Sequence, residues 1–175
     1  MAEHEAKGIL KILEQYSHAL ELLDQYDHQR LPEIKGDKKQ VKKLSYHEAI
    51  KQIDVWRKVQ KAGKLFGNEK DQSLKSSLNT IYQTFDGRDL YPSLEEKAAH
   101  LLYFVVKNHS FTDGNKRIAA GLFLYFMDMN KALLTAGGSK RMDDYTLVAV
   151  TLLIAESKPE EKEQIVKLIL NLMSR

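Results

Sequence analysis

Two segments of this chain are apolar on nearly every face, and they constrain its fold more than any other feature. They run from Leu94 to about Lys107 and from Lys116 to about Asn130. A helix that is apolar all round has to be buried among other elements. Both segments are shorter than a membrane span, which needs about 20 residues. They therefore predict the two central helices of a globular core, and no membrane partner is expected.

The N-terminal residues 3–28 show the periodicity of one long amphipathic helix. Apolar residues recur there at spacings of three and four, which places them on a single helical face. We interpret this element as a packing helix; the alternative is a partner-binding or dimerising helix, so a homodimer stays open. The residues of the stripe are Ile9, Leu13, Tyr16, Leu20, Leu23 and Tyr26.

Capping patterns locate the starts of further helices. Ser45 with Glu48, and Ser93 with Glu96, have the spacing of a capping box, in which each side chain binds a backbone N–H of the other residue. Asp143 or Asp144 provides another N-cap. Together with the apolar periodicity, these signals predict helices over residues 45–62, 73–82, 143–156 and 157–173.

One hairpin and one connector complete the predicted organisation. Asp86-Gly87 is a hairpin turn signal with apolar and aromatic residues on both sides. Residues 29–44, punctuated by Pro32 and Gly36 and rich in lysine, predict a linker. The predicted fold class is all-α, a bundle of about seven helices with one small β-hairpin. We expect residues 1–40 to form an N-terminal helix and linker, and residues 41–175 to form the main domain.

Composition excludes several classes of protein. The 175 residues contain no cysteine, which excludes disulfide scaffolds, thiolate zinc sites and cysteine nucleophiles and suits a cytoplasmic location. The net charge of +3, from 27 basic and 24 acidic residues, lacks the basic imbalance of a dedicated nucleic-acid binder. No nucleic-acid partner is expected, and a helix-turn-helix is disfavoured because the loop between the central helices is long and polar.

That loop carries the strongest functional signal. Residues 109–117 read His-Ser-Phe-Thr-Asp-Gly-Asn-Lys-Arg. The helix that follows begins at about Asn115 or Lys116, so its free N–H groups and positive dipole end form an anion site. Gly114 allows close approach of the backbone to a phosphate, and Arg117 can bind one bidentately. We expect Phe111 to point inward and hold the loop.

Two more residues of the loop supply chemistry for phosphate transfer. Asp113 is a carboxylate of the kind that binds Mg²⁺ together with phosphate oxygens. His109 is a base that can remove a proton from a hydroxyl group. The alternative interpretation is a capped interhelical turn, in which Gly114 and Asn115 serve the turn and Asp113 serves as a cap.

The loop resembles the signature of the Fic/Doc family, His-x-Phe-x-(Asp/Glu)-Gly-Asn-x-Arg. The order of elements over residues 45–157 is similar to the family core, so residues 41–175 would be a Fic/Doc-like domain. Residues 91–99 and 151–159 also resemble the Fic domain at the C-terminal end of larger RhuM-like bacterial virulence proteins. This second resemblance implies a toxin or virulence role and an origin in a longer chain.

The resemblance implies an enzyme that transfers AMP from ATP, with Mg²⁺, to a hydroxyl side chain of a target protein. His109 would be the catalytic base, and Asp113 would hold the metal. The nucleotide phosphates would bind at Gly114, Asn115, Lys116 and Arg117. The hairpin residues Phe85, Asp86, Gly87 and Arg88 would form the flap that receives the target segment by strand pairing.

Two departures from the family pattern leave alternatives open. The AMP-transferring pattern has Gly at the position of Lys116, whereas Doc-type members have Lys there and transfer a terminal phosphate. A further Arg of the adenylylating motif is replaced by Ala120. AMP transfer, phosphoryl transfer by a Doc-like kinase and a catalytically silent module for partner binding are therefore all compatible with the sequence, and AMP transfer is our first prediction.

Overall fold

The computed structural model describes residues 2–174, which contain eight α-helices and two short strands. They divide into two compact units, one up to Glu33 and one from Ile34. The prediction of an all-helical fold with one hairpin is confirmed. No helix in this described part is long and apolar enough to cross a membrane.

The first unit contains α1 (Ala2–Gln15) and α2 (Ser17–Asp27). We predicted one long helix here, and that prediction is wrong at one residue. Tyr16 has φ −112° and ψ 13°, and its N–H binds the carbonyl of Leu13, three residues back, so a tight turn separates the two helices. This break accounts for eight helices where about seven were expected. The predicted apolar stripe is largely exposed, at 46% or more for Ile9, Leu13, Tyr16, Leu20 and Leu23.

The centre of the second unit is the pair formed by α5 (Leu94–Asn108) and α6 (Asn115–Met129). The two helices pack against each other, and α5 also contacts three of the other helices. This confirms the prediction that the two apolar segments are central. Their fully buried side chains include Leu101, Leu102, Val105, Ile118, Leu122 and Phe126.

Four more helices surround this pair: α3 (Tyr46–Val59), α4 (Ser73–Ile81), α7 (Asp144–Glu156) and α8 (Lys162–Met173). Both predicted capping boxes are present, at Ser45 and at Ser93. Asp143 caps α7, because its carboxylate accepts the N–H of Thr146 at 2.8 Å. A single 3₁₀ turn, Pro159–Glu161, precedes α8.

The predicted hairpin lies between α4 and α5. Strand β1 (Thr84–Phe85) pairs antiparallel with β2 (Arg88–Asp89), Thr84 opposite Asp89 and Phe85 opposite Arg88. The turn residues Asp86 and Gly87 have φ of 51° and 71°, as a type I′ turn requires.

Residues 34–44 form no regular structure, yet they pack on the helical body. The N–H of Asp37 donates to the Glu95 carboxylate at 2.8 Å. The Asn130 side chain accepts the N–H of Lys42 at 2.7 Å and donates to its carbonyl at 3.0 Å. These contacts explain why the compact unit begins at Ile34. The division of the chain between residues 40 and 41 stays a prediction.

Candidate active site

The loop between α5 and α6 is shaped by two residues in the left-handed region. His109 ends α5 with φ 45° and ψ 49°, and Gly114 precedes α6 with φ 84° and ψ 15°. The first turns the chain out of α5, and the second turns it into α6. A histidine at positive φ has an unfavourable conformational energy, because its Cβ is crowded by the backbone, whereas a glycine has no Cβ. The imidazole of His109 is therefore held at the surface by the end of a buried helix.

Two side chains anchor the loop from beneath. Phe111 is fully buried, as the sequence predicted, and so is Ser110. The Ser110 hydroxyl lies 2.6 Å from the hydroxyl of Ser73 at the start of α4. The exposed polar residues of the loop, His109, Thr112 and Asp113, are consequently held at the surface.

Asn115 closes the loop on itself. Its side-chain NH₂ donates to the carbonyl of Phe111 at 2.9 Å, and its Oδ1 accepts the N–H of Phe111 at 3.0 Å. The sequence assigned Asn115 to phosphate binding. In the structure its amide side chain binds the loop backbone, so the backbone N–H is the group that Asn115 can offer to an anion.

Hydrogen bonds to the backbone join a second chain segment, residues 65–70, to the loop. The N–H of Gly67 donates to Asp113 at 3.1 Å, and the N–H of Lys70 donates to Ser110 at 2.8 Å. Thr112 donates from its N–H to Asn68 at 2.9 Å and from its hydroxyl to Leu65 at 2.6 Å. Sequence reasoning missed this role, because these partners lie 40 or more residues away along the chain.

Phe66, from the same segment, explains why residue 114 is glycine. A Cβ atom at position 114 would lie 2.4 Å from two carbons of the Phe66 ring. The guanidinium carbon of Arg117 lies 4.7 Å from the centre of the same ring, a cation–π contact. Phe66 therefore packs against the turn and positions the arginine.

The loop and the start of α6 line a pocket of about 380 Å³ that is open to solvent. No side chain caps α6 within residues 2–174, and its first hydrogen bond runs from the N–H of Ile118 to Gly114 at 2.8 Å. The preceding N–H groups thus have no helical acceptor. The pocket brings together all the residues predicted for catalysis, metal and phosphate: His109, Asp113, Gly114, Asn115, Lys116 and Arg117, with Thr112.

The charges of the pocket favour an anion. Lys116 and Arg117 are exposed on the first turn of α6, which carries no acidic residue. Asp113 forms a loose pair with Arg117, with 3.4 Å between carboxylate and guanidinium and both side chains 51% exposed. Such an exposed pair contributes little to stability and leaves both groups open to a ligand.

The four flap residues lie outside this pocket. All four are exposed, and Phe85 is 79% exposed. The hairpin is tied to α5 at its C-terminal side, where buried Lys97 pairs with Asp89 at 3.0 Å. Next to it the ring of Tyr91 stacks on His100 with 3.6 Å between centroids.

His100 is buried, whereas His109 of the pocket is exposed. It is 8% exposed, and its Nδ1 lies 2.7 Å from the carbonyl of Glu96, so this nitrogen carries the donated proton. Burial lowers the pKa of His100 to about 4. His100 is therefore neutral near pH 7 and serves the packing of the hairpin against α5.

Comparison with known proteins places these features in a family. The model of the Fic/DOC family matches residues 18–127, more than half of the chain. The protein named Toxin Doc of Mycolicibacterium smegmatis is 43% identical over 57 residues, which are 33% of this chain and 41% of that protein. The chain thus spans about two fifths of the length of this relative. No solved structure matches. With its signature residues gathered in one pocket, the chain belongs to the Fic/DOC family.

Proposed function

We propose that this chain transfers AMP from ATP to a hydroxyl side chain of a target protein. The observation that carries the proposal is the pocket in which an exposed histidine, a carboxylate and the uncapped N-terminus of α6 meet. A base, a metal ligand and an anion site are the groups that phosphate transfer requires.

His109 supplies the base. Its imidazole is exposed at the rim of the pocket on a backbone fixed by α5. A neutral imidazole accepts the proton of an attacking hydroxyl group as the new bond to phosphorus forms. Because the residue ends a buried helix, the base is held in place before the substrate arrives.

The start of α6 holds the phosphates. The backbone N–H groups of Asn115 and Lys116, together with the side chain of Arg117, offer several donors to one anion. Gly114 adds no side chain of its own to this turn, where a Cβ atom would meet the Phe66 ring.

The donors of the pocket also fit a magnesium ion. Among the described residues, no three or more histidine, aspartate or glutamate side chains are grouped so that they could hold a metal ion by themselves. Mg²⁺ is commonly held by one or two carboxylates plus substrate phosphates, so the half-exposed Asp113 beside the phosphate site suffices. Asp113 would hold the ion, and bound Mg²⁺ would neutralise phosphate charge.

The hairpin supplies a surface for the target. Its strands are only two residues long and exposed, so their outer edges have free hydrogen-bonding groups for an extended segment. We propose that Phe85, Asp86, Gly87 and Arg88 contact the segment that carries the acceptor hydroxyl.

Transfer of the terminal phosphate is the second candidate. It is supported by Lys116, which Doc-type members share, and by the similarity to Toxin Doc. Ala120, which provides no phosphate contact, also favours this reaction over AMP transfer.

Labelled nucleotides test both reactions. The chain is incubated with Mg²⁺, a cell lysate and ATP labelled at either the α or the γ phosphate, and labelled proteins are counted. We expect α label on a target protein, lowered about 100-fold or more in His109→Ala. His47→Ala, an exposed histidine on α3, is the matched control and should resemble wild type.

Label from the γ position alone would establish the second candidate instead. Label from neither position, with His109→Ala indistinguishable from wild type, would refute an enzyme.

A further inference from the structure

The segment at residues 65–70, which contacts the loop of the active site, is itself attached to α3 by one side chain. Arg57 of α3 donates from Nε to the carbonyl of Phe66 at 2.7 Å. Its Nη1 donates to the Asp54 carboxylate at 2.6 Å, and its Nη2 donates to Oδ1 of Asn68 at 3.4 Å. The planar guanidinium therefore joins one helix to two positions of the segment at once.

Gly67 lets the segment lie directly on α3. A Cβ atom at this position would lie 2.5 Å from Cγ2 of Ile53 and 3.1 Å from Nη2 of Arg57. Ile53 and Arg57 are four residues apart, so they share one face of α3. Gly67 also has φ 73°, a conformation in which other residues are strained. This close approach places the Arg57 guanidinium against the backbone that it binds.

The segment connects Arg57 to the phosphate site. The buried ring of Phe66 has the guanidinium carbon of Arg117 at 4.7 Å from its centre. The N–H of Gly67, the next residue, donates to the carbonyl of Asp113 at 3.1 Å. Arg57 itself does not line the pocket. Its influence on the phosphate site therefore runs through the segment.

We propose that Arg57 is a positioning residue for the phosphate site, because by holding Phe66 it fixes the guanidinium of Arg117 at the start of α6. This inference rests on the proposed function, which assigns Arg117 to the nucleotide phosphates. Donors that are held in place before the ligand arrives lose less conformational entropy when they bind it. Without Arg57, the Phe66 carbonyl loses a charged donor and the ring is free to shift, so Arg117 loses the aromatic face that supports it.

Binding of an inorganic phosphate chain measures this effect without requiring catalysis. The full chain and its variants are titrated with magnesium tripolyphosphate by calorimetry, and urea unfolding checks that each variant is folded at the temperature used. We expect Arg57→Ala to weaken tripolyphosphate about fivefold, because a displaced Arg117 loses part of its interaction with the phosphates. Lys58→Ala, at the exposed neighbouring position of α3, also removes one positive charge and should leave the affinity unchanged.

A double-mutant cycle distinguishes a positioning role from a merely structural one. Arg117→Ala alone should weaken tripolyphosphate about tenfold or more, because a charged donor is lost. In that background Arg57→Ala should weaken binding by less than about a further twofold, because no guanidinium is left to position. Two effects that multiply in full would overturn the assignment, since Arg57 would then act independently of Arg117.

The remaining outcomes separate this inference from the proposed function. Arg57→Lys keeps the charge but lacks the planar fork, so its affinity should lie between those of wild type and Arg57→Ala, and it gives the answer even if Arg57→Ala does not fold. Wild-type affinity in the folded Arg57 variants would overturn the positioning role and leave the phosphate site intact. No binding of tripolyphosphate by the wild type would overturn the proposed function and this inference with it.

Discussion

The loop at residues 109–117 and the hairpin at residues 84–89 are both polar and solvent-facing, but they are held in very different ways. The loop is fixed by two buried side chains, by the amide of Asn115 and by hydrogen bonds to residues 65–70. The hairpin has only two residue pairs, all exposed, and depends on Lys97 and His100 of α5 for its attachment.

The difference follows the chemistry proposed for each region. Donors that bind phosphate act best when their positions are fixed in advance. A surface that pairs with a segment of another protein has to adapt to that segment, and weakly held elements open at low free-energy cost. We therefore expect substitutions in the loop to change stability and nucleotide binding. Substitutions in the hairpin should change mainly the labelling of the target protein.

The largest effect is expected from Gly114→Ala. The added Cβ would lie 2.4 Å from the Phe66 ring at a residue with φ 84°. Strain and overpacking together should lower the free energy of unfolding by about 4 kcal/mol. Urea unfolding and ATP calorimetry measure the change.

Gly87→Ala in the hairpin is the matched control. This glycine also has positive φ, 71°, but no atom lies within 4 Å of an added Cβ. The free energy of unfolding of Gly87→Ala should fall by only about 1 kcal/mol. Equal losses in the two variants would show that Phe66 does not constrain the loop.

The next effect concerns pH and the attachment of the hairpin. His100 has a folded-state pKa of about 4, below the ordinary value of 6.5, because it is buried. As the pH falls below 6.5 the unfolded chain gains a proton that the folded chain does not, so stability falls between about pH 6.5 and pH 4 and is unaffected above that window. The loss should reach about 3 kcal/mol.

Unfolding measured at several pH values tests this expectation. His100→Phe keeps a ring against Tyr91 and should flatten the pH dependence of stability over that window. His47→Gln, at an exposed site, should leave the slope as in wild type. An unchanged slope in His100→Phe would assign the acid sensitivity to other groups.

Asn115→Ala is expected to have an intermediate effect. It removes the partners of both the N–H and the carbonyl of buried Phe111. The free energy of unfolding should fall by about 2 kcal/mol, with weaker ATP binding as the loop loosens. Asn115→Asp keeps the acceptor for the Phe111 N–H, so its free energy of unfolding should lie between those of wild type and Asn115→Ala. An Asn115→Ala protein as stable as wild type would show that these two hydrogen bonds do not stabilise the loop.

The smallest effect on stability is expected from Phe85→Ala. The side chain is 79% exposed, so the free energy of unfolding should change by less than about 0.5 kcal/mol and ATP binding should persist. Labelling of the target should nevertheless drop several-fold. Leu152→Ala, an exposed apolar residue on α7, should alter neither. Unchanged labelling in Phe85→Ala would separate the hairpin from target recognition.

Local signals allowed much of this architecture to be predicted. Periodicity and capping boxes located the helices, and Asp86-Gly87 located the hairpin turn. The pocket residues are within nine positions of one another, so the sequence alone indicated that they meet. The break at Tyr16 was missed because its apolar spacing continues that of a helix.

Contacts between distant segments could not be read from spacing. Residues 65–70 contact the loop, and Trp56 contacts Gly121, across 40 or more residues of chain. The role of the Asn115 side chain was missed for a different reason. An amide can bind a phosphate or a backbone, and only the packed position of Phe111 decides between them.

The brevity of the hairpin limits how much of a partner it can recognise. An extended peptide lying along strands of two residues shares only a few backbone hydrogen bonds with them. Such a footprint distinguishes an extended chain from a helix but is too small to read a long sequence of side chains. Acceptors would then be selected by the local shape around their hydroxyl group, and proteins of unrelated sequence that present the same shape would be modified alike.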